Sequence, residues 1–120
     1  MDKEITIEEL KKLVIKFRDE RDWKKYHNPK DLAVSMSIEA AELLELFQWK
    51  TVEEIKEMLK NNEKYQKVCE ELADIIIYCL DMSEILDADI SEIVKKKVEQ
   101  NEKKYPVEKA KGSAKKYTEL

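Results

Sequence analysis

Two pairs of carboxylates carry the most chemical information in this chain. Glu39-Ala-Ala-Glu42 and Glu71-Leu-Ala-Asp74 each set two acids three residues apart, inside apolar sequence of helical period. Residues at i and i+3 share one face of a helix. Two such helices packed together would gather four acids into a small volume, which is costly unless protons or a cation neutralise them. Oxygen ligands without sulfur or imidazole favour Mg²⁺, with Mn²⁺ as a substitute, over zinc. The plain alternative is solvated surface charge, because 27 acids in 120 residues produce such spacings freely. Position is the informative point: both pairs interrupt or border the apolar side of their helices. A ferritin-like di-iron centre is excluded on ligand type. It needs Glu-x-x-His on two helices, and the single histidine, His27, has Lys24 three residues before it.

Trp23, Tyr26, His27, Trp49 and Tyr78 form a second constellation. Aromatic faces can hold a planar base, at roughly 1–3 kcal/mol per stacked base. Tryptophans at helix ends also serve as packing plugs, and a loop histidine often only bonds its own loop. A third group is Lys97 with Asn101, at i and i+4 on the inward side of their helix. A lysine beside an acidic metal site could meet phosphate oxygens. Lys103 and Lys104 read instead as solvated or snorkelling side chains.

The elements that must position these groups are helices. Thr6 and Glu9 have capping-box spacing, and Ile7, Leu10, Leu13, Val14 and Phe17 follow as an apolar stripe. Periodicity fails from Arg21 to Asn28, an aromatic-rich connection. Asn28-Pro29 then opens a second helix, expected to reach Phe47. Thr51 and Glu54 cap a short third helix that ends near Leu59. The fourth, about Glu63 to Leu86, is apolar nearly all round, so part of it is expected to meet another subunit. Glu71, Asp74 and Tyr78 lie on one narrow strip of it. Asp89 and Glu92 cap a fifth helix that Pro106 stops, leaving residues 106–120 as a basic tail, flexible or docked.

Composition bounds the rest. With 42% of residues charged, one Gly and two Pro, the chain reads as one all-α domain over residues 1–105. A net charge of −4 argues against a nucleic-acid polymer as partner. The longest apolar run, Ile75 to Leu80, is too short for a bilayer. The first residues lack the apolar core of a signal peptide, so a cytoplasmic location is expected. Cys69 and Cys79 are about 15 Å apart along one helix, too far to bridge, and are expected as free, buried thiols.

At these residues the sequence resembles MazG-like nucleotide pyrophosphohydrolases of the all-α NTP pyrophosphatase superfamily, and among them the dCTP pyrophosphatases. The likeness runs through Arg21-Asp22-Trp23 to His27 and Pro29, the E-x-x-E and E-x-x-D motifs, and Glu45-Leu-Phe-Gln-Trp49-Lys-Thr. It continues to Tyr105-Pro106 and the ending Lys116-Tyr-Thr-Glu-Leu120. It implies a helical bundle of about five helices, with a four-helix core assembled through oligomerisation, as a dimer or, as is usual in this subgroup, a tetramer built as a dimer of dimers. It further implies Mg²⁺-dependent hydrolysis of a (deoxy)nucleoside triphosphate to monophosphate and pyrophosphate. Carried over by position, Glu39, Glu42, Glu71 and Asp74 are the metal ligands. Trp23, His27, Trp49 and Tyr78 line the nucleotide pocket, and Lys97 and Asn101 lie near sugar or phosphate. Glu42 is the expected general base, with Glu39 the alternative. Related members can carry histidine where Val14 stands, so the likeness leaves the preferred base open. Two other readings compete: a non-enzymatic helical interaction module, and a related hydrolase acting on a different nucleotide.

Overall fold

The computed structural model describes all residues from 1 to 120 and is helical throughout, without a strand. Its helices are α1 (Ile7–Glu20), α2 (Pro29–Glu45), α3 (Val52–Met58), α4 (Asn62–Ile85), α5 (Ile90–Lys104) and the short α6 (Val107–Ala110). Single 3₁₀ turns occupy Lys24–Tyr26 and Tyr117–Glu119. The chain divides into two compact units, residues 1–87 and 88–120.

Local sequence explains each helix start. Thr6 accepts from the Glu9 amide at 3.1 Å while Glu9 accepts from the Thr6 amide at 2.7 Å, closing the capping box of α1. Asn28, Thr51, Asn61 and Asp89 likewise accept the amide three residues on, beginning α2, α3, α4 and α5. The second helix stops two residues short of the expected Phe47. Its last turn tightens into i→i+3 bonds, from Leu46 to Leu43 and from Phe47 to Leu44. Trp49 follows in a left-handed conformation with φ 65°, which is rare for a bulky side chain.

Within the first unit α4 is the central rod, packing against α2 and α1. Leu32, Met58 and Leu80 are the only apolar side chains fully buried. Phe17, Leu72, Ile76 and Ile77 stay exposed, as do Ile93, Val94 and Val98 of α5. The same openness corrects the expectation of buried thiols. Cys79 is exposed and Cys69 half-buried, both free, because α1 and α2 cover only part of a helix that is apolar nearly all round. In the second unit Tyr117 stacks edge-on against Tyr105 at 6.1 Å, and Lys104 Nζ lies 5.0 Å over the Tyr117 ring. The residues after Pro106 are thus docked on the end of α5.

Candidate active site

The packing of α2 on α4 brings the two acid motifs together. Glu39, Glu42 and Glu71 each offer a carboxylate oxygen, and these oxygens lie within 4.8 Å of one another. Glu39 and Glu71 are half-buried, and the Oε2 atom of each is buried without a hydrogen-bond partner. Buried acceptors of that kind are normally satisfied. A proton or a cation would supply the missing partner. The electrostatics agree: burial, followed by the hydrogen bonding and charge of Glu42 and by Glu71 and Asp74, pushes the Glu39 carboxyl up to about 7. Burial also raises Glu71, and Glu42 and Asp74 push it further, although its hydrogen bond with Glu39 pulls the other way. Asp74 stands one turn along α4 from Glu71, outside the trio, and acts on it through charge. A crowded, oxygen-only donor set with two orphaned buried oxygens fits a hard divalent cation.

Beside this cluster, between α1 and α4, runs a groove of about 580 Å³. Leu10, Val14, Phe17, Ile76 and Ile77 make its apolar wall, while Trp23, His27, Tyr78 and Asp74 also border it. Trp23 is braced edge-on against Phe17 at 5.7 Å, and the His27 and Tyr78 rings are 6.4 Å apart. Three of the four aromatic residues expected around a base therefore share one groove, with a motif acid at its edge. Trp49 does not line that groove and is 92% exposed.

Under the groove lies a buried ionic network. Arg18 is only 1% exposed, yet its guanidinium reaches Asp81 at 2.7 Å, Glu84 at 2.8 Å and Asp19 at 2.9 Å. Burial works against its charge, but the hydrogen bonds to Asp19, Glu84 and Asp81 outweigh it and raise its pKa above the usual arginine value. Asp81, itself 2% exposed, gives its second oxygen to His27 Nδ1.

Residues 34–120 match the MazG-like family, which takes in both acid motifs, α5 and the tail. The chain belongs to that family. Over 117 residues it is 38% identical to a dCTP pyrophosphatase 1 from Bos taurus and 36% identical to that of Homo sapiens, covering 98% of this chain and 69% of each relative. A crystal structure of a pyrophosphatase from Archaeoglobus fulgidus superposes with a TM-score of 0.77 at 48% identity, over 83% of this chain and 92% of that one.

For this MazG-like chain, sequence reasoning passed over Arg18, Asp81 and Glu84. A signal existed. Arg18 continues the apolar stripe of α1 one turn beyond Val14, and Asp81 continues the strip of Glu71, Asp74 and Tyr78 on α4. A charge on an inward stripe asks for a partner. Lys97 and Asn101 are exposed on α5, in the second unit.

Proposed function

We propose that the protein is a Mg²⁺-dependent nucleoside triphosphate pyrophosphohydrolase. It converts a deoxynucleoside triphosphate, dCTP or a modified dCTP, and water to the monophosphate and pyrophosphate, a reaction that clears the nucleotide pool. One observation carries this reading: three convergent carboxylates with orphaned buried oxygens stand next to an apolar groove edged by Trp23, His27 and Tyr78. Dedicated relatives named for dCTP pyrophosphatase activity support the nucleotide class.

Glu39, Glu42 and Glu71 would hold the cation, with Asp74 as the fourth acid of the motif. When bound, Mg²⁺ would supply charge neutralisation of the triphosphate and polarise the phosphorus under attack. The remaining work falls to the chain. The groove takes the base, with Trp23 and Tyr78 as flat apolar contacts. Glu42, the exposed member of the trio, takes the proton of the attacking water, with Glu39 as the alternative. Lys97 and Asn101 act at sugar or phosphate. No side-chain nucleophile is needed.

The protein acts as a homo-oligomer, with a dimer of dimers as the proposed form. Few buried apolar side chains, against exposed ones on α1, α4 and α5, support this. Light scattering tests it, and a stable monomer removes it. For the activity, the protein is incubated with Mg²⁺ and a panel of canonical and 5-substituted deoxynucleoside triphosphates. Monophosphate and pyrophosphate are the expected products. Diphosphate and free phosphate instead, or no turnover of any substrate, would refute the assignment.

A further inference from the structure

The connection between α1 and α2 is held at its two ends by different means. Its start is local. Asp22 takes a left-handed conformation, φ 54°. The Asp22 amide then donates to the Asp19 carbonyl and the Trp23 amide to the Arg18 carbonyl, at 3.1 Å each, which closes the end of α1 as a Schellman turn. The apolar contact that such turns carry is the one Trp23 makes with Phe17, whose ring Arg21 covers at 3.8 Å. The far end is tied to α4 through charge. Lys24 Nζ lies 3.8 Å from Glu84, and His27 Nδ1 meets Asp81. Arg18 bonds both of these acids, at 2.7 Å to Asp81 and 2.8 Å to Glu84, one turn apart on α4. The residue whose carbonyl caps the helix thus also holds the two anchor points of the loop.

Stability alone does not account for this arrangement. A buried guanidinium and carboxylate can be exchanged for apolar side chains of like volume at little or no loss. This pair also keeps a donor, Arg18 Nη2, buried without a partner, which subtracts from stability. What charge-assisted bonds supply and apolar packing does not is a fixed direction. We propose that Arg18 and Asp81 are positioning residues whose pairing latches the α1–α2 connection onto α4, and so sets the wall that Trp23 and His27 give the groove. Both are buried and act through the loop, from beneath it. The wall stands at the groove rather than at the acid trio, so its contacts with substrate are alike in ground and transition state. Loosening it weakens binding and leaves the chemical step in place. The inference rests on the reading of the groove as the nucleotide site.

Position and stability come apart in a pair of variants. Arg18→Met leaves the Asp81 charge alone and destabilises, whereas Arg18→Met combined with Asp81→Leu removes both charges together. Melting temperature, KM and kcat with Mg²⁺ and the substrate turned over fastest, and acrylamide quenching of Trp23 are measured on the full chain. For the quenching every variant also carries Trp49→Gly, so that one indole reports. The double variant is expected to regain most of the stability that Arg18→Met loses. It is nonetheless expected to show a KM raised about tenfold at a kcat within about twofold of the wild type, and a Trp23 more readily quenched. Should the double variant not fold, Glu84→Gln decides, since it weakens the half-buried acid that Arg18 and Lys24 share. The same two readouts are then expected to move the same way by a smaller amount. A folded variant with wild-type KM or wild-type quenching, or one whose kcat falls while KM holds, overturns the proposal. No turnover of any deoxynucleoside triphosphate by the wild type, with quenching changed as expected, counts against the hydrolase reading and leaves the latch standing.

Discussion

Two charged clusters lie along one strip of α4, about 15 Å apart from Glu71 to Asp81, and they are opposites. Around Asp81 acids and cations alternate: Arg18 against Asp81, Glu84 and Asp19, with Lys24 3.8 Å from Glu84 and His27 Nδ1 on Asp81, although Arg18 Nη2 is itself buried without a partner. Around Glu71 there are only acids, and two buried oxygens have no partner. A network of mixed sign can be buried and fixed. An unbalanced one is left open to whatever supplies the missing charge. The contrast separates scaffold from site without reference to any relative.

The sharpest way to break the comparison is at its end of mixed sign. Arg18→Met leaves Asp81 buried without its cation, and should cost about 3–5 kcal/mol in urea denaturation, the usual penalty for halving a buried pair. A loss below 1 kcal/mol would mean that the network is not holding the fold. At the open end the expectation reverses. Glu42→Ala should lower turnover by about 100-fold or more, the scale of a lost general base, while its melting temperature holds or rises because it relieves repulsion. Retained full turnover removes Glu42 from the site.

A third, smaller effect sharpens the open end through pH. The Glu39 carboxyl sits at about 7 in the folded chain against an ordinary 4.5. The folded state therefore keeps a proton that the unfolded chain releases, so this stability is complete below about 4.5 and is lost as pH rises through about 7. Without metal, Glu39→Gln should gain on the wild type across that window, by on the order of 1 kcal/mol after allowance for solvent screening. Saturating Mg²⁺ should erase the gain. A wild type whose metal-free stability tracks that of Glu39→Gln across the window contradicts the assignment. The smallest effect lies away from both clusters. Trp49 holds a left-handed conformation with its ring in solvent. Trp49→Gly should leave stability unchanged or raise it by up to about 1 kcal/mol, measured by thermal melting.

Much of this was legible in the residues. Capping pairs such as Thr6 with Glu9 and Thr51 with Glu54 mark helix starts because the bonds they make are local. The acid motifs could be placed on facing helices because three-residue spacing and apolar context are also local properties. What escaped depended on distance along the chain. Arg18 and Asp81 are 63 residues apart, and nothing near either names the other. Trp49, grouped with the base-binding aromatics by residue type and by resemblance, is 92% exposed and does not border the groove between α1 and α4. The thiols were expected inside on hydropathy alone, which cannot say how many neighbours a helix has to cover it.

The helical strip on α4 also acts as a ruler. Glu71 and Tyr78 are two turns apart, about 10 Å along one uninterrupted helix, which is comparable to the span from sugar-linked phosphates to base in a single nucleotide. Inserting one residue between Asp74 and Tyr78 would swing the motif acids about 100° around the helix from the ring and part the two at a stroke.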